Sequence, residues 1–192
     1  MINNRVSDAL SLRAMASEFD AQRGKLPQPG DPHRSTDNVT IARQLSDLGK
    51  LITDLADEVL HRAAEQNREG RTPSAIDDFA AAIGPASEAA SALGAVAHQL
   101  SFLGRTEHLR DQPDALDARE AAAAVMDDGL GAADTALREG ADSLHAASAR
   151  AFPPPDRLQA ARRRSATATS APAPPAAAPA AAVLPGPIAR GR

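Results

Sequence analysis

The sequence contains no cysteine, tryptophan or tyrosine, and it has only four phenylalanines in 192 residues. Without cysteine the chain has no disulfide, no zinc–thiolate site and no thiol chemistry. Without tryptophan and tyrosine it lacks most of the aromatic side chains that anchor interfaces or form stacking platforms for bases. These absences exclude several kinds of binding site before any motif is considered.

Long hydrophobic segments are also missing. No run of about 18 apolar residues occurs, which predicts that no segment spans a membrane. The N-terminal sequence, MINNRVSDAL, lacks the continuous apolar stretch of a secretory signal peptide. Alanine occupies 45 positions, and 19 arginines stand against two lysines, a bias typical of a high-G+C bacterial genome. We therefore expect a bacterial, cytoplasmic protein.

The composition changes near Arg150 and predicts two regions. Residues 151–192 contain nine of the 15 prolines and carry a net charge of +5, whereas residues 1–150 carry −9. Each proline removes a backbone donor and blocks helix continuation. We predict a helical domain over residues 1–150 and a disordered, basic, Pro/Ala-rich tail over residues 151–192.

Apolar periodicity predicts four helices in residues 1–150 and no strand. The first helix is predicted from about Asn3 to Arg23, and the second begins after the cap candidates Ser35-Thr36-Asp37. The third begins at Thr72-Pro73, with a kink or restart at Gly84-Pro85, and the fourth begins at Gln112-Pro113-Asp114. Short connections favour antiparallel neighbours. The predicted fold class is all-α, an antiparallel bundle of about four helices with a disordered Pro/Ala-rich C-terminal tail.

The most regular pattern lies in the second helix, where apolar residues recur at alternating spacings of four and three. They are Ile41, Leu45, Leu48, Ile52, Leu55 and Val59, a heptad ridge of the coiled-coil type. We expect this ridge to pack mainly on the third and fourth helices of its own chain. Those helices present many alanines and glycines, which bury little apolar area. The ridge is therefore also the predicted binding surface for a protein partner or a second copy in a homo-oligomer.

Motifs of catalysis and cofactor binding are absent from the sequence. It has no Gly-x-Ser-x-Gly nucleophile elbow, and neither a Gly-x-Gly-x-x-Gly nor a Walker loop. We therefore expect no enzymatic activity and no cofactor. The predicted function is that of a non-enzymatic helical interaction or scaffold protein.

Two alternative functions rest on smaller features. In the tail, Arg157, Arg162, Arg163 and Arg164 are candidate phosphate contacts for an accessory nucleic-acid-binding protein.

The second alternative is a metal–carboxylate helical bundle. The pairs Glu58-x-x-His61 and Asp142-x-x-His145 are similar to the paired ligands of di-iron four-helix proteins. Folding the helices back about their loops leaves the two pairs about 9 Å apart along the bundle axis, at 1.5 Å per residue. This mismatch favours solvated polar faces over a shared metal site.

Overall fold

The structure is a computed structural model that describes residues 2–28, 36–69 and 74–152. In this part of the chain it contains α1 (Ile2–Gly24), α2 (Asn38–Glu69), α3 (Ser74–Arg105) and α4 (Pro113–Ala151), with a short 3-10 turn at Glu107–Leu109. No strand occurs among these residues. The predicted all-α fold with about four helices is confirmed.

The chain divides into two units, Met1–Pro153 and Pro154–Arg192. All four helices belong to the first unit. Of the predicted tail, 151–192, Ala151 ends α4 and Phe152 caps it, and residues 153–192 lie outside the described residues.

The starts of α2 and α4 follow their predicted signals. Asp37 Oδ1 accepts hydrogen bonds from the backbone N–H groups of Val39 and Thr40, both at 2.9 Å. Among the three cap candidates, Asp37 thus satisfies amide groups that the first helical turn leaves without a partner. α4 begins at Pro113, where the fixed φ angle of proline suits the first helical position.

α3 is a continuous helix at the position where the sequence predicted a kink or a restart. The helix runs through Pro85, so of the two expected outcomes, a kink or a restart, the restart does not occur. Proline leaves the carbonyl of Ala81 without its usual donor, but Ala81 is exposed and water reaches that side of the helix. On the opposite side Ala86 is fully buried and holds the helix in the bundle. The other predicted signal, Thr72-Pro73, lies outside the described residues.

Adjacent helices run antiparallel, and α3 and α4 share the most extensive contact. α2 packs along α3, α1 packs along α4, and α1 touches α2 at only a few positions. Cross-helix ion pairs fix the register: Lys25–Asp47 at 2.9 Å, Arg23–Asp134 at 2.7 Å and Arg150–Asp78 at 2.8 Å. The bundle is therefore closed on three sides and loosely joined between α1 and α2.

The core combines a few large side chains with many alanines. The largest fully buried apolar residues are Leu12, Phe19, Ile41, Leu48, Leu55, Phe79, Leu93, Val96, Leu137 and Leu144. Between them lie buried alanines, which let the helix backbones approach closely. A small total of apolar volume thus fills the space between four long helices.

Glycine is required at two points of close approach on α4. A Cβ atom at Gly140 would lie 2.7 Å from Phe19 Cδ1 and nearer still to Cε1, and one at Gly129 would lie 2.8 Å from Val96 Cγ2. The buried Ser148 adds a hydrogen bond of 2.7 Å from its hydroxyl to the carbonyl of Ala9. These contacts bring α4 into tight packing with both α1 and α3.

Candidate interaction face on the α2–α3 hairpin

The predicted heptad ridge of α2 divides into two rows in the structure. Ile41, Leu48 and Leu55 are 0–1% exposed and fill the core of their own chain. The remaining members, Leu45, Ile52 and Val59, are only partly buried. The ridge packs on α3 and not, as expected, on both α3 and α4, because α4 lies against α1 and α3. Half of the predicted partner-binding residues are thus occupied within the monomer.

A matching row runs along α3. Ile76, Ile83, Ala90 and Ala97 recur every seven residues and are partly buried. The contact of Arg62 with the Phe79 ring sets the register of the antiparallel pair. In that register Val59, Ile52 and Leu45 fall level with Ile83, Ala90 and Ala97.

Small residues extend both rows toward solvent, again at seven-residue spacing. On α2 they are Ala42, Gly49, Ala56 and Ala63, and on α3 they are Ala80, Ser87, Gly94 and Ser101. A Cβ atom added at Gly49 or Gly94 would meet nothing within 4 Å. We call the two partly buried rows and these eight residues the outer face of the hairpin.

The outer face carries no charged residue, although 24% of the chain is charged. α3 is the extreme case, since Glu88 is the single charge between Asp78 and Arg105. A helix with one side in water ordinarily carries charged residues along that side. The charge-free rows depart from this pattern.

The same composition makes α3 the one helix in the described ranges that is long and apolar enough to cross a membrane, and a third of that apolar stretch is buried within the bundle. Its heptad rows and its packing on α2 and α4 account for this composition without a bilayer. The expectation that no segment spans a membrane stays a prediction.

The two pairs considered as metal ligands, Glu58-x-x-His61 and Asp142-x-x-His145, have histidines in separate polar contacts. His61 Nε2 lies 3.4 Å from Glu65 Oε1, and His145 Nε2 lies 3.1 Å from Asp20 Oδ2. Over residues 2–28, 36–69 and 74–152, no group of three or more histidine, aspartate or glutamate side chains is placed to hold a metal ion.

Glu58 binds a cation of its own chain. It accepts a hydrogen bond of 2.6 Å from Arg62, which also donates to Asp8 and lies 5.0 Å from the ring centroid of Phe79. Burial on its own would lower the pKa of Arg62, but the hydrogen bonds to Glu58 and Asp8 outweigh it and raise that pKa above its ordinary value. The guanidinium therefore stays charged and ties α1 to α2.

The candidate nucleic-acid residues of the tail, Arg157, Arg162, Arg163 and Arg164, lie outside the described residues, and that alternative stays a prediction. Sequence reasoning missed the row of small residues on α2, although a signal was present: Ala42, Gly49, Ala56 and Ala63 form a second heptad beside the first.

Comparison with protein families, curated proteins and solved structures finds no match to this chain.

Proposed function

We propose that this protein is a non-enzymatic helical interaction protein that binds a second copy of itself through the outer face of the α2–α3 hairpin. The observation that carries the proposal is the charge-free double row of apolar and small residues on that face. Water solvates such a surface poorly, and burial of its apolar area against a partner is favourable.

The outer face suits a second copy because it is complementary to itself. α2 contributes a ridge of branched side chains, Leu45, Ile52 and Val59. α3 contributes small side chains at Ala90, Gly94 and Ala97, of which Gly94 borders open space, and we expect them to form a shallow furrow. In a two-fold arrangement the ridge of each copy lies in the furrow of the other. Both repeat every seven residues, so knobs and holes stay in step along the interface.

The available area is sufficient for a specific dimer. From Ala42 to Ala63 the face extends about 33 Å at 1.5 Å per residue. With axes about 8–10 Å apart and each helix about 10 Å across, the face is about 18 Å wide. It therefore presents about 600 Å² on each copy, or about 1,200 Å² in total, the lower end for specific interfaces.

The test is the oligomeric state of the full chain, measured by light scattering after gel filtration over a range of concentrations. Gly49→Glu and Gly94→Arg place a charged side chain in open space on the outer face, so both variants should fold. We expect the wild type to be a dimer and both variants to be monomers. Gly131→Glu is the control, because Gly131 also borders open space but lies on α4.

A monomeric wild type at every concentration would contradict the proposal, as would a dimer that neither variant disrupts. Flotation of the wild type with neutral lipid vesicles, abolished by Gly94→Arg, would assign the face to a membrane instead. Far-UV circular dichroism establishes that each variant retains its helices.

A further inference from the structure

A third heptad row lies beside the outer face on each helix of the hairpin, on the side that points away from the core. We call these two rows the edge rows. Their members are Val39, Ser46, Thr53 and Leu60 on α2, and Gly84, Ser91 and His98 on α3. All seven are exposed, and none is an aspartate, glutamate, lysine or arginine. The uncharged surface of the hairpin is therefore wider than the outer face alone.

The two edge rows differ in bulk. Leu60 is 67% exposed, the largest exposed fraction of any large apolar residue in the described part of the chain, and Val39 is 59% exposed. None of the described residues of α3 is an exposed large apolar residue. A Cβ atom added at Gly84 would meet nothing within 4 Å. The edge of α2 thus offers a projecting side chain, and the edge of α3 offers open space.

Two arrangements with two-fold symmetry can bring one outer face onto another. With the axis along the helices, α2 of each copy covers α3 of the other, and every residue keeps its level. With the axis across the helices, α2 covers α2, and the levels are reversed. The second arrangement sets the branched ridges of both copies against each other and leaves the small residues of the two α3 helices across a gap. Close packing therefore favours the first arrangement.

The register within one hairpin then gives the register across the interface. Because Val59 is level with Ile83, Leu60 of one copy comes level with Ala82 of the partner. A side chain on an α-helix leans toward the N-terminus of its own helix. In an antiparallel pair this direction carries Leu60 toward Gly84, two residues or about 3 Å further along α3.

The same offset pairs the polar members of the edge rows. Thr53 leans toward Ser91 of the partner, and Ser46 leans toward His98. The Thr53 hydroxyl already donates to the carbonyl of Gly49 at 2.9 Å, so its oxygen can accept a hydrogen bond from Ser91. Because a buried hydroxyl without a partner is unfavourable, this match supports the arrangement over three successive heptads.

We propose that the two-fold axis of the dimer runs along the helices and that Leu60 of each copy is the anchor residue, seated on Gly84 of the partner's α3. This inference rests on the proposed dimer and adds its orientation and its principal contact. A leucine that is exposed in the monomer and enclosed in the dimer contributes more to binding than the small residues around it.

Disulfide formation between single-cysteine variants tests the orientation, because the chain has no cysteine of its own. Leu60→Cys is mixed with Gly84→Cys under mild oxidation, one of the two being isotope-labelled so that mass spectrometry separates mixed from self-linked dimers. We expect the mixed disulfide to form rapidly, since facing positions bring the two Cα atoms within the range that a disulfide spans. Leu60→Cys with Gly131→Cys is the control, because Gly131 also borders open space but lies on α4.

A dimer in which the mixed disulfide forms no faster than in the control would overturn the orientation and leave the proposed function standing. Rapid disulfide formation between Val39→Cys and Leu60→Cys would assign the axis across the helices instead. A wild type that is monomeric at every concentration would remove both proposals. Thr53→Cys mixed with Ser91→Cys lies on the same edge rows and keeps the test decisive if Gly84→Cys does not fold.

The role of Leu60 as anchor has its own measurement. Leu60→Ala should raise the dissociation constant of the dimer by about tenfold or more, as measured by analytical ultracentrifugation. Leu10→Ala is the matched control, since Leu10 is 59% exposed but lies on α1. Equal effects of the two variants, or no effect of either, would show that Leu60 is not the anchor.

Discussion

At the scale of single residues, the spacing between helices depends on where a side chain is missing. Phe19 of α1 occupies the volume that a Cβ atom at Gly140 of α4 would need, whereas Gly131, nine residues earlier on the same helix, borders open space. Both glycines look alike in the sequence, as interruptions of an alanine-rich helix. Only the first is required by packing.

Replacement of Gly140 by alanine should therefore lower the free energy of unfolding. The gain of about 1 kcal/mol in helix propensity is outweighed by overpacking against the Phe19 ring, and we expect a net loss of about 1–3 kcal/mol. Urea denaturation followed by circular dichroism measures the change. The control is Gly131→Ala, for which we expect a gain of about 0.5–1 kcal/mol; a gain at Gly140 would show that α1 moves aside at little cost.

At the scale of elements, polar side chains fix the turn that joins α3 to α4. Arg119 donates to the carbonyl of Leu103 at 3.0 Å and to Glu107 Oε2 at 2.7 Å. The hydrogen bond and the charge of Arg119, followed by those of Arg110, hold the pKa of Glu107 below its ordinary value of 4.5. The ionised form of Glu107 is thus the one that pairs with Arg119 in this turn.

Arg119→Gln should raise the pKa of Glu107 toward its ordinary value, and Arg110→Gln should raise it less. Since the folded-state pKa is the lower one, the contribution of this group to stability is present above pH 4.5 and is lost as the pH falls through the folded-state pKa. A carboxyl-detected NMR titration of Glu107 measures both variants. Equal shifts in the two variants would show that Arg119 has no special role.

The helices themselves were predictable, but the sequence did not show which apolar row of α2 faces the core. Periodicity located all four helices and marked Ile41, Leu45, Leu48, Ile52, Leu55 and Val59 as one apolar surface. On an α-helix two adjacent heptad rows fall within one apolar arc. Which row faces the core depends on where α1 and α3 lie, and this is decided by contacts between helices.

At the scale of the whole molecule, the proposed dimer links stability to concentration. Dimerisation through the outer face stabilises the folded state by mass action. The wild-type melting temperature should therefore rise by about 1–3 °C for each tenfold increase in protein concentration. Gly94→Arg should melt at one temperature throughout, and a chain that ends at Phe152 should keep the dependence. Scanning calorimetry at three concentrations distinguishes these outcomes, and a wild type without concentration dependence would oppose dimerisation.

The sequence by itself determined the helical class, the number of helices, a cap within Ser35-Thr36-Asp37 and the start of α4 at Pro113, because these depend on hydrogen bonds and apolar spacing within a few residues. The charge-free rows of α2 and α3 can also be identified in the sequence, since a heptad can be counted along the chain. The tertiary structure alone decided that α2 lies on α3, that Leu45, Ile52 and Val59 are only partly buried, and that Gly140 packs against Phe19. Those outcomes depend on contacts between residues far apart in the chain, and no local pattern specifies which of several apolar stripes will meet.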